Sequence, residues 1–211
     1  LNMDDFFHRV NADLVGKFVN IASRCVRFIT NHFDGQLAPT LAYAALYQQF
    51  IDKGDSIAKA YETRDYNKAM REIMALADRA NQYIDEHKPW LIVKQTGHED
   101  QLQAVCSQGL NLFRVLMGYL APILPWLVNQ VEAFLAAPVA WQPEPLLAHT
   151  INPFKRLMKR VEKTQIDAMI DASKESLATA PQPAPPIESV AEPIGYDEFS
   201  KIDLRIARIV K

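Results

Sequence analysis

Asn20 and Arg24 stand four residues apart in the stretch FVNIASRCVRF, residues 18–28, with Arg27 one step further along the same edge. Side chains four apart are neighbours on a helix surface. Here they are a carboxamide and a guanidinium, whose directed donors suit base edges and phosphates. Each precedes an apolar position, Ile21 or Cys25, by one residue, so the pair borders a buried stripe instead of pointing away from it. Asn81 and Asp85 repeat the spacing of four and lead to Pro89 and Trp90 in DEHKPWLIVK, residues 85–94. Trp90 admits two readings. It is either a packing residue, as tryptophan mostly is, or a stacking platform for an unpaired base, a contact of about 1–3 kcal/mol. A proline beside it fixes the backbone and reduces the ordering lost on binding. Asn20 and Arg24 carry the same alternative: an exposed flank joined by an i,i+4 hydrogen bond, or a recognition edge. A third group, Lys155, Arg156, Lys159, Arg160 and Lys163, falls on adjoining helical rows and reads as a solvated face or as a phosphate contact.

Other chemistries find no residues. The five histidines (His8, His32, His87, His98 and His149) show no metal-ligand spacing, and neither cysteine belongs to a CxxC, so no metal site is expected. The glycines form no phosphate-cradling GxGxxG or P-loop. Acid pairs such as Asp4-Asp5 and Glu99-Asp100 suit first helical turns, where negative charge opposes the positive end of the dipole. No nucleophile is paired with a base, so no catalytic residue and no cofactor is assigned to this chain.

The elements that must position these groups read as helices. Val10, Leu14, Phe18, Ile21, Cys25 and Phe28 recur at fours and threes, one helical face from Asp4 to about Phe28. A loop follows through NHFDGQLAP, residues 31–39, with its Asp34-Gly35 turn. Thr40 to about Tyr61 is helical again, interrupted near Gly54-Asp55. Asp65 reads as the N-cap of a third long helix. Its apolar stripe is Tyr66, Met70, Ile73, Ala77, Ala80 and Ile84, and it must stop by Lys88, because the residue before a proline is driven out of the helical region. Further helices are expected from Glu99 to Leu120 and from Pro125 to Leu135, then a loop around Trp141. Asn152-Pro153 reads as cap and first-turn proline of a short helix. Thr164 with Asp167 resembles a capping box before Ile166, Met169 and Ile170. The fold class is therefore all-α, an antiparallel helix bundle over residues 1–177. A proline-rich linker follows at 178–195, holding Pro181, Pro183, Pro185 and Pro186. In 196–211, Ile202, Leu204 and Ile206 alternate as a strand would, the start of a truncated second domain.

Composition narrows the class. Of 211 residues 49% are hydrophobic, enough for a core, and a net charge of −2 excludes a generally basic nucleic-acid coat while leaving room for a local patch. Cys25 and Cys106 sit in apolar stretches and read as buried thiols of a reducing compartment. The run Leu110–Val128 is interrupted by Arg114, Pro122 and Pro125, which makes it a core helix and not a membrane span. No secretory signal opens the chain. A start at Leu1 without an initiator methionine reads as an excised piece of a longer protein.

In this order and spacing, FVNIASR (18–24), REIMALAD (71–78), Asn81 followed by KPW (88–90), NLFRVLM (111–117) and NPF (152–154) resemble the anticodon-binding helix bundle of bacterial methionyl-tRNA synthetases. The likeness covers residues 1–178. YDEFSKIDLRI, residues 196–206, is similar to the opening of the OB-fold tRNA-binding domain appended in that family. The resemblance implies a bundle of the class I synthetase anticodon-binding type, in which Asn20, Arg24 and Trp90, with Pro89 as rigid neighbour, recognise the first base of the methionine anticodon, a cytosine. Asn81 and Asp85 would line or support that site. It implies tRNA for methionine as partner, together with the chain's own catalytic domain, which would carry the HIGH-like and KMSKS-like signatures, the ATP site and, in many relatives, zinc. None of those signatures is in this chain. A cytoplasmic location follows, as does a homodimer of the full-length parent through the OB-fold domain, with the piece itself monomeric. The rival expectation is a non-catalytic helical scaffold that docks protein partners or the missing catalytic domain, with Trp90 buried.

Overall fold

The computed structural model describes residues 2–178 and 195–201. The linker prolines and the alternation at 202–209 lie outside the described residues. Asn2 caps the first helical rod, its side-chain oxygen accepting the amide hydrogens of Asp4 and Asp5 at 3.0 and 3.2 Å. That rod has three consecutive parts: α1 (Met3–Arg9), a π-helical stretch (Val10–Val19) and α2 (Asn20–His32). The change of winding was not foreseen. Its one trace in the sequence is the spacing Val10–Leu14–Phe18, four and four, where an α-helix averages 3.6. Phe18, Ile21, Cys25 and Ile29 are buried along the rod, while Val10, Leu14 and Phe28 are only half-buried.

Next come α3 (Ala44–Asp52) and α4 (Gly54–Glu62), divided at Lys53. The helical region begins at Ala44, not Thr40, because the amides ahead of it are engaged elsewhere. Ala38 N–H donates to Ser107 Oγ at 2.8 Å, and Tyr43 N–H to Gln108 Oε1 at 3.1 Å. The long α5 (Tyr66–His87) starts as expected at Asp65, whose carboxylate accepts the Lys68 amide hydrogen. Tyr66, placed on its apolar stripe by periodicity, is instead exposed. A single-turn helix α6 (Pro89–Ile92) precedes α7 (Glu99–Leu120), and α8 (Pro125–Leu135) follows it.

Helix α7 is the axis of the bundle. From Leu110 to Leu120 every residue is buried, which is why that segment is apolar on all sides. It runs antiparallel to the first rod: Phe18 stacks on Phe113 at 4.8 Å between ring centroids, whereas Cys25 packs against Gly109. Its few polar residues hold loops in place. Asn111 exchanges hydrogen bonds with the backbone of Leu146 at 3.1 and 2.7 Å. Arg114, buried, donates to the carbonyls of Pro138 and Glu144 at 2.6 to 3.1 Å. A buried guanidinium without a carboxylate partner is tolerable only with its donors so satisfied. Burial lowers its pKa from the usual arginine value.

Two expectations near the end of the bundle are corrected. Residues 151–162 form no helix. Asn152 does not open a helix but closes α8, its side chain donating to Ala133 O at 2.7 Å and its amide to Phe134 O at 2.9 Å. At the far end of the segment, Asn11 clamps Val161 through its side chain, donating to the carbonyl at 2.9 Å and accepting the amide hydrogen at 2.8 Å. These long-range bonds replace the local ones a helix would need. Helix α9 (Lys163–Ala178) is then opened by Gln165, whose side chain accepts the Glu162 amide hydrogen at 2.9 Å, and not by Thr164 with Asp167. Contacts divide the chain into a compact unit ending at Asp167 and a second one from Ala168, in which α10 (Tyr196–Phe199) is described. Among the described residues there is one isolated bridge, Gln36 to Thr150, and no sheet. The chain is all-α there, as expected.

Candidate nucleic-acid interface

The first rod and α5 run side by side in the same direction, and three polar rungs join them. Lys17 Nζ lies 2.9 Å from Asp78 Oδ1, Asn20 Nδ2 donates to Asn81 Oδ1 at 3.4 Å, and the Arg24 guanidinium is ion-paired and hydrogen-bonded to Asp85. Each rung spans 61 residues of sequence. The steps of three and four from Lys17 to Asn20 to Arg24 are repeated from Asp78 to Asn81 to Asp85, so equal helical rows meet along the seam. Asn20 and Arg24 therefore do not bond to each other as an isolated flank would; each reaches across to α5.

Asn81 is the most fixed member. Its amide nitrogen donates to the carbonyls of Ala77 at 2.9 Å and Lys17 at 3.0 Å, which anchors the seam at the turn before α2. Arg24 is largely covered, its side chain 21% exposed, while Asp85 stays open to solvent. Only one terminal nitrogen of Arg24 is hydrogen-bonded to Asp85 among the described residues. A guanidinium carries five N–H donors in a planar fork, so this rung uses only part of its capacity.

The corner at Pro89 sets Trp90 beside this seam. Lys88 is left-handed, φ 48 and ψ 62, and serves two helices at once. Its amide donates to Ile84 O at 2.9 Å, ending α5, and its carbonyl accepts the Leu91 amide hydrogen at 2.7 Å, starting α6. Pro89 is buried at the first position of α6, where its missing N–H costs nothing. Trp90 projects from the same turn and is 37% exposed. The Arg24 Cζ lies 4.8 Å from the centroid of its ring, within reach of a cation–π contact. The structure thus brings Asn20, Arg24, Asn81, Asp85 and Trp90 into one site, with Pro89 beneath it.

The basic group lies elsewhere. Lys155, Arg156, Lys159 and Arg160 are exposed on the non-helical segment, with Leu157 buried and Met158 half-buried between them and Phe154 half-buried ahead of them. Lys163 approaches Asp4 at 3.6 Å. Sequence reasoning missed the Lys17–Asp78 rung, although the repeated three-then-four spacing in both segments was a visible signal for it. Among the described residues no group of histidines, cysteines or acids could hold a metal ion, and no helix is long and apolar enough to cross a membrane.

Residues 36–158 match the family model described as the anticodon binding domain of methionyl tRNA ligase. The chain belongs to that family. Asn81, Asp85, Pro89 and Trp90 fall inside the matched stretch; Asn20 and Arg24 precede it and join it through the rungs. Solved structures of similar fold include the apo form of Mycobacterium tuberculosis methionyl-tRNA synthetase, 18% identical with a TM-score of 0.70 over 77% of this chain and 35% of that one. The same enzyme bound by methionyl-adenylate matches at 18% identity and a TM-score of 0.65, over 72% and 32% of the two chains. The present chain spans about a third of the length of those enzymes.

Proposed function

We propose that Arg24, Asn20 and Trp90 read the first base of the methionine anticodon, the cytosine, within a longer synthetase that attaches methionine to tRNA using ATP. The observation that carries this is the guanidinium of Arg24 held against the Trp90 ring by Asp85. A planar aromatic face and a set of unused, oriented donors meet there at solvent. An unstacked loop base needs that combination: a surface for its ring and partners for its edge. Asn20 adds a carboxamide on the same seam. Asn81 and Asp85 serve as supports, since their own bonds hold Asn20 and Arg24 in place. The exposed Lys155–Arg160 segment is a sequence-independent phosphate contact on this reading.

In this proposal the partners are tRNA for methionine and the catalytic part of the enzyme, which would hold the ATP and any zinc; the setting is the cytoplasm, in keeping with two free buried thiols. Dimerisation of the complete enzyme would fall to its appended OB-fold domain, with this chain alone a monomer. One observation favours an additional scaffold role. Tyr66 and Ile123, 52% and 43% exposed, line a groove of about 570 Å³ with Trp141. The groove lies at the start of α5, whose 22 residues put it about 33 Å from the Trp90 corner. Docking there and reading at the corner are compatible.

One experiment separates reading from scaffolding. Binding of tRNA with the methionine anticodon is compared, at fixed salt, with tRNA altered at the first anticodon base, for the chain and for Trp90→Ala. The expected result is tighter binding of the cognate tRNA, a preference that Trp90→Ala removes. Equal affinity for both tRNAs, or no effect of Trp90→Ala, leaves only the scaffold role.

A further inference from the structure

We propose that Lys88, Lys94 and Arg27 form a cationic collar that holds the RNA backbone phosphates on either side of the base carried by Trp90; this rests on the reading above. The three come from both elements that frame the ring. Lys88 precedes Trp90 by two residues at the corner, and Lys94 follows it by four, in the turn just past the end of α6, with its amide bonded to Leu91 O at 3.1 Å. Arg27 lies one turn beyond Arg24, whose guanidinium covers the ring. All three side chains are exposed, and none is ion-paired among the described residues.

The acids nearest in sequence are already engaged. Asp85 is paired with Arg24, and Glu86 lies 3.5 Å from Arg79. The turn therefore presents uncompensated positive charge around one aromatic face, in a chain whose formal net charge is −2. Charge placed in this way acts locally, whatever the sum over the chain.

The backbone at Lys88 is the second, independent observation. A left-handed conformation is strained for an ordinary residue and unstrained for glycine. The position before a proline adds a further restriction. Stability alone would favour glycine at φ 48 and ψ 62, yet the residue is a lysine with a free ammonium group. Of the six non-glycine residues with positive φ among the described residues, Lys88 is the one that adjoins the aromatic corner, and the strain kept there supports a functional hypothesis for its side chain. A base that leaves its stack to lie on Trp90 carries a phosphate on each side, and cations before and after the ring would meet both. The ligand of this site is accordingly a turned single-stranded segment and not an isolated nucleobase.

The test uses the 211-residue chain and a synthetic RNA stem-loop bearing the methionine anticodon, with affinity measured over a series of salt concentrations. Single-strand contacts each contribute about 0.7 to the slope of log affinity against log salt. The variant Arg27→Gln/Lys88→Gly/Lys94→Gln is expected to flatten that slope by about 2, and to weaken the cognate stem-loop and one altered at the first base by the same factor. Lys88→Gly alone should flatten it by about 0.7 while the melting temperature stays level or rises, a pairing that a purely structural lysine would not give. An unchanged slope in the triple variant, or a loss confined to the cognate stem-loop, overturns the collar. Failure of the base-reading proposal is distinguishable, because the parent chain would then bind both stem-loops equally, or Trp90→Ala would leave the first-base preference intact, whatever the slope does.

Discussion

The Arg24 guanidinium lies over the Trp90 ring at 4.8 Å while one of its nitrogens is tied to Asp85. Position and charge are thus separable. Arg24→Lys keeps the charge but replaces a flat, five-donor fork by a point charge on a flexible stem. The expected outcome is a loss of about tenfold in preference for the cognate first base, equivalent to one directed hydrogen bond of about 1.4 kcal/mol. The salt slope should stay as it was, because the number of cations is unchanged. The surface pair with Asp85 contributes little to folding, about 0–1 kcal/mol, so the urea midpoint should hardly move. Parallel titrations with cognate and altered stem-loops check this; a variant that retains full preference would exclude the guanidinium from base reading.

Much of the fold is legible from periodicity, and α7 shows why. Its bounds, Glu99 and Leu120, follow from acids at the start and prolines after the end. The corner at Pro89 is legible as well, because steric exclusion of the preceding residue is local. What periodicity could not give is where long-range bonds outbid local ones. Asn152-Pro153 has the residues of a helix start, but 151–162 form no helix because Asn11 and the end of α8 take backbone and cap groups at its two ends. Trp90 shows the same limit at the site. Its ring lies under Arg24, distant in sequence, and only the resemblance carried by Asn20, Arg24 and KPW drew those residues together.

Two glycines of α7 test the packing that holds the seam in register. A Cβ on Gly109 would stand 2.5 Å from Cys25 Sγ, directly under the Arg24 turn. A Cβ on Gly118 would stand 2.2 Å from the carbonyl oxygen of Ala140. A side chain can rotate away, whereas the backbone at Ala140 is held by its neighbours. Gly109→Ala should cost about 1–3 kcal/mol, the range for overpacking, and a second change, Cys25→Ala, should return most of it. Gly118→Ala should cost at least as much and resist rescue by Cys25→Ala. Urea unfolding of the single and double variants gives the coupling energies; equal rescue in both backgrounds would contradict the assigned contacts.

The buried tyrosines make stability fall at high pH. Burial pushes Tyr47 and Tyr61 up to about 12, and Tyr83 and Tyr119 still further. For Tyr47, nearby Arg114 acts the other way but is outweighed. The phenol of Tyr61 donates to Tyr119 O at 2.9 Å, and that of Tyr119 to Phe50 O at 2.8 Å, bonds that a phenolate cannot make. An unfolded tyrosine loses its proton near pH 10. Between there and about 12 the unfolded chain binds fewer protons than the folded one, so unfolding free energy decreases as pH rises. Their contribution is complete below pH 10 and is lost as pH climbs through the folded values. The urea midpoint should therefore ease downward from about pH 8.5, where an unfolded thiol ionises while a hydrogen bond with Cys25 and burial keep that of Cys106 protonated, and drop more steeply above about 10, with Tyr47→Phe shallower than the parent chain. Tyr83→Phe separates burial from bonding. Its hydroxyl is buried with no hydrogen-bond partner among the described residues, so removing it should leave neutral-pH stability equal or higher. A midpoint that is flat through pH 12 in the parent would mean that these rings reach solvent in the folded chain.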